Sequence, residues 1–282
     1  MRYYLPIQPD SLVLDVGGGH DPVQWADLVI DKYPNDTYHR DGAEAKILKD
    51  KTIIADATRL PFKDKSFDFI FCKHVVEHMK DREQVTAILN ELSRIGKFGL
   101  ITSPSEICER ILGWDFHVWF VNNKDGKILF RKKQTPLPPW GYLIRVTTSS
   151  ESRNTREWSD LYNKFIPFFE MQYLWEDSIE FDFIEDDEMI FPYEDKKFCL
   201  DYVQNKRTVI PNWIEKKKDG IRRKLFLKKR EKTKQERLKR AFATLICPSC
   251  RSEEMEKEKN KIICRNCSKE YQKNNGVWNL DF

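Results

Sequence analysis

The chain has 282 residues, of which 40% are hydrophobic and 33% charged, and its formal net charge is +4. This length suits one large domain with an appendage, or two small domains, and the apolar fraction supports a packed core. No run of about 18 apolar residues occurs, which argues against a transmembrane helix. The first residues also lack the apolar core of a signal peptide. We therefore expect a cytoplasmic protein.

The seven cysteines are unevenly distributed along the chain. Three are isolated, whereas Cys247, Cys250, Cys264 and Cys267 form two CxxC pairs separated by 13 residues. An odd total with paired CxxC spacing indicates reduced thiols and a metal rather than a disulfide framework. Four such thiolates predict a closed, structural Zn²⁺ site, with iron in a rubredoxin-like site as the chemical alternative. A segment this short needs a staple of this kind to fold.

Short apolar runs alternate with turns and one helical pattern in the first half of the chain. We predict strands at residues 12–16, 26–31, 52–57, 66–72 and 99–102. The apolar spacing after Asp81 predicts a helix that ends at Gly96, and Asp81 with Gln84 has the spacing of a capping box. Strand–helix alternation of this kind predicts an α/β fold with a doubly wound, mostly parallel sheet.

The ends of the predicted strands carry the residues with chemical potential. Gly17 and Gly19 follow the first strand, where the missing Cβ lets the backbone lie against a ligand. Asp31 ends the second strand, and a carboxylate there can accept both hydroxyls of a ribose. Eleven residues separate Gly19 from Asp31, fewer than the roughly 20 of the usual fingerprint, so the crossover must be short or irregular. Asp56 ends the third strand in the same way.

Between these strands, residues 33–51 are polar and poorly patterned. We interpret them as a long loop or a short helix. Tyr38, His39 and Arg40 within it are either solvated surface or a contact to substrate or cofactor.

In their order and spacing, these motifs resemble those of class I S-adenosylmethionine-dependent methyltransferases, and more narrowly the type 11 branch. The resemblance spans about the first hundred residues and rests on residues 15–19, Asp31, residues 55–57, residues 60–62 and residues 66–70. It implies S-adenosylmethionine as the cofactor, contacted by Asp15, Gly17, Gly19, Asp31, Asp56 and Ala57. Asp31 would accept from the ribose and Asp56 from the adenine amino group, with the Ala57 amide nearby. Asp15 would hold the ammonium end, directly or through water.

The methyl acceptor is less constrained than the cofactor. Methyl transfer needs alignment of the reactants, and a hydroxyl or protonated amine acceptor also needs a base. We favour His74 or His117 as that base, ahead of Glu77 and His78. The Asn/Asp-Pro-Pro-aromatic motif of exocyclic-amine methyltransferases is absent after the fourth strand, and no Pro-Cys nucleophile occurs. The sequence thus favours a small-molecule acceptor or a glycan or lipid-linked one.

The remaining chain divides into three parts. Residues 105–184 are expected to complete a methyltransferase domain at 1–200, with a strand at 127–131 and an antiparallel edge near 168–184. Residues 201–243 read as a basic helical linker, because residues 216–240 hold 14 Lys and Arg against three acids. This segment is either solvated or binds RNA or an anionic membrane surface.

The last part, a ribbon at 244–282, closes with Gly276, Val277 and Trp278. It resembles the small zinc-ribbon activator subunit that partners tRNA and release-factor methyltransferases, which implies a docking or stabilising module. Two alternatives to a small-molecule enzyme therefore stay open. One is an RNA or translation-factor methyltransferase, and the other is a non-enzymatic binding module whose cofactor pocket has decayed.

Overall fold

A computed structural model of the chain describes residues 5–40, 42–134, 166–186 and 212–281. The strands are β1 (Val13–Val16), β2 (Leu28–Ile30), β3 (Thr52–Ile54), β4 (Phe67–Lys73), β5 (Gly96–Pro104), β6 (Trp119–Lys124), β7 (Lys127–Lys132), β8 (Glu170–Glu176), β9 (Phe181–Ile184), β10 (Met255–Lys257), β11 (Lys261–Cys264), β12 (Glu270–Asn274) and β13 (Val277–Asn279). The helices are α1 (Arg82–Ile95), α2 (Glu106–Leu112), α3 (Ile166–Phe169), α4 (Asn212–Lys232) and α5 (Lys234–Ala243). Three 3-10 turns lie at Tyr38–Arg40, Ala57–Arg59 and Val76–His78.

The main sheet has ten strands in the order β10-β11-β12-β13-β3-β2-β1-β4-β5-β8. Its centre, from β3 to β5, is parallel, and β8 adds the expected antiparallel edge beside β5. A second sheet of β6, β7 and β9 lies beside it. The predicted α/β class with a mostly parallel sheet is confirmed. The connection from β1 to β2 is irregular throughout, as the short spacing before Asp31 indicated.

Both faces of the parallel strands are buried, as their continuous apolar runs require. Leu14 and Ile70 point to one face, where they share a core with Val85 and other apolar residues of α1. Val13 and Phe69 point to the opposite face, in a smaller core that Trp25 extends. The ring of Trp25 meets Phe226 of α4 edge-to-face at 5.7 Å. Helices therefore cover the sheet on both faces.

The helix α1 begins where the sequence indicated. Asp81 is its N-cap and accepts from the Gln84 backbone N–H at 2.9 Å. The Gln84 side chain reaches back to the N–H of Lys80 rather than of Asp81. One face of the helix buries Val85 and four further apolar residues. Residues 74–80 therefore connect the carboxyl end of β4 to the N-cap of α1.

Within the basic segment, the described residues 212–243 form α4 and α5, and one part of these helices is not solvated. Arg230 and Arg237 are 2% and 3% exposed. Both bind the buried carboxylate of Asp27, through Arg230 Nη2 at 2.7 Å and Arg237 Nε at 2.9 Å. Arg230 also donates to the Ser11 carbonyl at 2.8 Å. These two arginines are therefore neither solvated nor available to RNA or a membrane surface, contrary to what the sequence predicted for the basic segment. They anchor α4 and α5 to the sheet.

The C-terminal ribbon is joined to the parallel sheet. Strand β13 pairs with β3 in parallel, with Trp278 opposite Ile53. The Leu280 backbone N–H continues this ladder to the Ile54 carbonyl at 2.8 Å. Trp278 is 1% exposed and its ring lies 5.8 Å from that of Phe242 on α5. The ribbon at 244–282 thus extends the main sheet, while the expected boundary at residue 200 lies outside the described residues.

No helix in the four described ranges combines the length and the hydropathy needed to cross a membrane.

Candidate active site and metal centre

The glycine turn after β1 lies between the carboxyl end of β2 and the segment that follows β4. The Gly17 N–H donates to the Ile30 carbonyl at 2.8 Å, and the Gly19 N–H donates to Asp31 Oδ2 at 3.0 Å. Gly17 has φ +73°, and a Cβ placed on it would lie 2.1 Å from Val75 Cγ2. Any larger residue would clash with the segment that follows β4. This turn therefore lies directly against residues 74–78.

Asp31 lies where the sequence placed it, but its carboxylate is already fully partnered. The backbone N–H groups of Gly19 and Tyr33 donate to Oδ2 and Oδ1 at 3.0 and 2.9 Å. Arg40 Nη2 contacts both oxygens, at 2.9 and 2.8 Å. A carboxylate offers about four lone-pair positions, and all four are taken. A ribose would have to displace Arg40 to reach Asp31. No signal in the sequence singled out Arg40 as this partner.

Asp56 also has a cation from its own chain. Lys32 Nζ lies 2.5 Å from Oδ2, and the Thr58 N–H and hydroxyl donate to Oδ1 at 2.8 and 2.7 Å. Burial acts to raise the pKa of Asp56, but Lys32 and Thr58 outweigh it, so the pKa is lowered. Ala57 begins the 3-10 turn that follows. Lys32 is thus a functional candidate that the sequence patterns did not reveal, whereas Arg40 lies in the segment that the sequence marked as either surface or a contact to substrate or cofactor.

Asp15 differs from these two carboxylates. It is fully buried, and Oδ2 accepts from the Val23 N–H at 2.7 Å. Oδ1 has no hydrogen-bond partner among the described residues. Burial raises the pKa of Asp15 to about 6, although the Val23 hydrogen bond lowers it in part. A cationic donor such as an ammonium group would satisfy Oδ1 and stabilise the ionised form.

A second polar cluster lies at the carboxyl end of β4. Glu77, His78 and His117 each offer one ligand atom, and these atoms lie within 4.8 Å of one another. Glu77 is completely buried, and neither of its oxygens accepts a hydrogen bond within the described parts of the chain. His74 Nδ1 lies 3.5 Å from Oε1 and pairs with it when the imidazole is protonated. The sequence-derived base candidates His74 and His117 therefore both lie close to Glu77.

The histidines of this cluster differ in their surroundings. His74 has a left-handed backbone, with φ +53°, and its side chain is 46% exposed. His117 is 7% exposed, and its Nδ1 contacts Glu109 Oε1. Glu109 is in turn held by Lys133 Nζ at 2.8 Å. His117 is thus a fixed imidazole, whereas His74 can reach solvent. Whether either acts as the base stays a prediction.

The charges in the cluster are set by burial and proximity. Burial would raise the pKa of Glu77, but His74 and then the other two histidines lower it to about 2. Burial lowers the pKa of His78 to about 4, against the attraction of Glu77. At neutral pH the cluster therefore contains a carboxylate beside a neutral imidazole.

Aromatic rings connect this cluster to the loop that carries Arg40. His39 lies 5.6 Å from the ring of His78 and 5.7 Å from Phe116. Phe116 stacks on His78, with ring centroids 5.7 Å apart. Tyr38 packs against Phe116 at 5.4 Å and is 59% exposed. The loop beside Asp31 therefore also covers the Glu77 cluster.

The four ribbon cysteines come together as predicted. Cys247 Sγ lies 3.6 Å from Cys267 Sγ, and Cys250 Sγ lies 3.5 Å from Cys264 Sγ. A tetrahedral site with Zn–S bonds of about 2.3 Å puts sulfurs roughly 3.8 Å apart. The Tyr271 hydroxyl lies 3.2 Å from Cys247 Sγ, a contact that orients this ligand. The geometry fits a structural metal ion.

Comparison with known protein families gives one match. Residues 14–99 match the family model described as a methyltransferase domain. This stretch contains the glycine turn, Asp15, Asp31 and Asp56, and it ends within β5. No curated protein matches the chain.

Among solved structures, the chain is 22% identical to the YcgJ protein of Bacillus subtilis, with a TM-score of 0.26, over 36% of this chain and 47% of that one. It is 19% identical to a SAM-dependent methyltransferase of Methanosarcina mazei, with a TM-score of 0.30, over 42% and 69% of the two chains. A complex of the Haloferax volcanii Trm112 methyltransferase activator with a putative methyltransferase is matched at 15% identity and a TM-score of 0.37, over 62% and 86%.

The match to YcgJ thus spans about half the length of that protein. Residues 14–99 lie within the parallel sheet and include the glycine turn. This part of the chain is therefore similar to a methyltransferase domain.

Proposed function

We propose that this chain transfers the methyl group of S-adenosylmethionine to a small-molecule or glycan-type acceptor. The observation that supports this most strongly is Asp15. Its Oδ1 atom is buried without a partner among the described residues, at the carboxyl end of β1 and beside the glycine turn. Burying an unpaired acceptor is costly, and this position is where doubly wound sheets bind ligands. The ammonium group of the cofactor would pair with it.

The other contacts follow from the order of the strands. Asp31 lies at the end of β2 and Asp56 just after β3, so both carboxylates lie on the same edge of the sheet as Asp15. Asp31 would bind the ribose once Arg40 moves, and Asp56 would accept from the adenine amino group. The cofactor supplies an electrophilic methyl carbon, and the protein supplies alignment and a site from which water is excluded.

The proposal includes a structural Zn²⁺ ion in the ribbon. Cys247, Cys250, Cys264 and Cys267 would hold it as thiolates. Because β13 pairs with β3, the ion would stabilise the sheet edge next to Asp56. Its role is to fix the fold and not to take part in methyl transfer, since four thiolates close the coordination shell.

The acceptor class can be tested with labelled cofactor. The zinc-loaded chain is incubated with methyl-labelled S-adenosylmethionine and separated small-molecule, glycan, lipid, protein and RNA fractions of a cell extract. We expect label in the small-molecule or glycan fraction, and none with the matched variant Asp15→Asn. Label confined to RNA or protein would overturn this acceptor class.

An RNA or translation-factor acceptor is the second candidate, and the exposed surface of α4 favours it. Most of the described side chains between residues 220 and 229 are exposed, and five residues of this stretch are Lys or Arg. The apolar side chains of Ile221 and Leu225 lie among them, at 53% and 55% exposure. RNA binding through this face should weaken steeply as salt rises. An affinity that does not change with salt would remove this candidate.

A further inference from the structure

We propose that Glu77, His78 and His117 form a binding site for a divalent first-row transition-metal ion, separate from the cysteine site of the ribbon. The ligand atoms of the three residues lie within 4.8 Å of one another. Metal bonds of about 2.0–2.2 Å to nitrogen and oxygen require separations of roughly 3.3 Å. Small rotations of the side chains would close this difference.

The buried carboxylate of Glu77 is stronger evidence for a bound ligand than the spacing of the three ligand atoms alone. Its side chain is completely buried, and both oxygens lack a hydrogen-bond partner in the described ranges. His78 Nδ1 is buried and unpartnered there as well. The contact of Oε1 with His74 Nδ1, at 3.5 Å, does not meet the geometry of a hydrogen bond, and a buried carboxylate without hydrogen bonds is costly. A cation between Glu77 and His78 would satisfy both groups at once.

The contacts of His117 resemble those of metal-bound imidazoles. Its Nδ1 contacts Glu109, and Glu109 is fixed by Lys133 Nζ at 2.8 Å. A carboxylate on one ring nitrogen sets the tautomer and leaves Nε2 to bind a metal. His117 is brought to Glu77 by the backbone, because the Val118 N–H donates to the Glu77 carbonyl at 2.8 Å. The Trp119 indole N–H, donating to the Met79 carbonyl at 2.6 Å, adds a second link.

The donor set indicates the class of metal. Two imidazoles and one carboxylate suit Zn²⁺, Fe²⁺, Mn²⁺ or Co²⁺. Mg²⁺ and Ca²⁺ prefer oxygen ligands throughout. Three protein ligands also leave coordination positions open, unlike the closed set of four cysteines. The site is therefore suited to binding a further molecule at the metal.

The position of the cluster suggests what that molecule is, and this step rests on the proposed function. Val75 packs on Gly17 of the glycine turn, two residues before Glu77. An ion at Glu77 would take a hydroxyl group of the methyl acceptor as a ligand, next to the cofactor. The O–CH3 bond would form as the S–CH3 bond breaks, giving a neutral thioether, while the hydroxyl proton would leave to bulk solvent through His74, whose side chain is exposed. Acceptors rich in hydroxyl groups, such as sugars, fit this arrangement.

The test uses the full chain with its ribbon already loaded with zinc, so that the cysteines do not compete. Mn²⁺ is added, and the loss of the free-ion signal is followed by electron paramagnetic resonance. We expect one Mn²⁺ per chain. Glu77→Gln and His117→Gln should raise the Kd by more than the roughly 100-fold that loss of an outer-shell partner costs. His20→Gln is the matched control, because His20 is exposed, and it should bind as the wild type does.

A measurement on the wild type decides the matter if a variant does not fold. Pulsed electron paramagnetic resonance of bound Mn²⁺ should show coupling to imidazole nitrogen. Absence of that coupling, absence of binding, or unchanged binding in both folded variants would overturn the site. S-adenosylhomocysteine is titrated into the same samples by calorimetry. Metal binding without cofactor binding would reject the proposed function and leave the metal site. Cofactor binding without metal binding would reject the metal site and leave the proposed function.

Discussion

The C-terminal ribbon and the carboxyl ends of β1, β4 and β5 differ in whether their buried polar side chains have hydrogen-bond partners. In the ribbon, no buried side-chain N or O atom in residues 244–281 lacks a partner. At the carboxyl ends of β1, β4 and β5, by contrast, Asp15, Glu77, His78 and Thr102 all have buried atoms without one. Side-chain polar groups of the ribbon are satisfied within the chain, and we propose that a ligand satisfies those at the strand ends.

This difference separates structural from functional chemistry. The ribbon cysteines, Trp278 and β13 complete the sheet, so their loss should unfold the edge of the domain. Asp15 destabilises the ligand-free fold, since burying its carboxylate without a partner for Oδ1 costs free energy. Substitutions in the ribbon should therefore reduce stability, and substitution of Asp15 should raise stability while removing ligand binding.

The largest effect is expected from loss of the ribbon metal. Cys264→Ser, or a chelator, should release one zinc ion per chain and unfold the ribbon. Structural zinc contributes an apparent 10–16 kcal/mol or thereabouts in small zinc domains at neutral pH. Metal analysis and circular dichroism would measure this. Cys108→Ala is the control, because Cys108 is buried far from the ribbon core and its loss should leave the zinc content unchanged.

The next effect tests whether α4 and α5 belong to the sheet. Asp27→Asn leaves two buried guanidinium groups, Arg230 and Arg237, without a counter-charge. Breaking a buried pair costs about 3–5 kcal/mol, and urea unfolding would measure it. Glu185→Gln is the control, because Glu185 is 82% exposed and its partner Arg82 is 51% exposed. An exposed pair of this kind is worth less than about 1 kcal/mol. Equal effects of the two substitutions would contradict the anchoring role.

A gain in stability is expected at Asp15. Its folded pKa of about 6 lies above the ordinary aspartate pKa of 3.8, so the unfolded chain loses its proton first as pH rises. The stability supplied by protonated Asp15 is complete below about pH 4 and is lost as pH rises through about 6. Asp15→Asn, which stays neutral, should add about 2–3 kcal/mol at pH 7 and abolish this pH dependence. Thermal unfolding between pH 4 and 7 would show it, and a less stable variant at pH 7 would argue against an unsatisfied carboxylate.

The smallest effect concerns the pair between Arg40 and Asp31. Arg40→Met should bind S-adenosylhomocysteine about 10-fold more tightly, because a charge-assisted contact worth roughly 1.4 kcal/mol no longer competes with the ribose. Lys97→Met is a control cation, paired with Asp68 at 2.8 Å at the other end of the strands. Weaker binding by Arg40→Met would mean that Arg40 itself contacts the cofactor. It would not support a decayed pocket, which predicts no binding by either protein.

Much of the sheet was predictable because its signals are local. Apolar runs that end in acids predicted β1 to β3, a longer apolar run predicted β4, and Asp81 with Gln84 predicted the start of α1. The cysteine spacing likewise predicted the four-sulfur cluster. In each case the residues that form the feature are near one another in sequence or follow a fixed period.

The contacts that sequence reasoning missed join distant parts of the chain. Arg230 and Asp27 are 203 residues apart, and nothing in a basic helix shows which of its cations are buried. The pairing of β13 with β3 depends on an edge strand that is free to accept it. Arg40 reaches Asp31 only because the loop between β2 and β3 folds back. These depend on tertiary packing, which overrides local patterns.

The central claim is that the edge formed by Asp15, Asp31 and Asp56 binds the adenosyl cofactor. The most direct test is calorimetric titration of the zinc-loaded chain with S-adenosylhomocysteine. We expect one site per chain, with binding lost in Asp15→Asn and unchanged in Glu185→Gln. No measurable heat or affinity for the wild type, or equal affinity for Asp15→Asn, would contradict it.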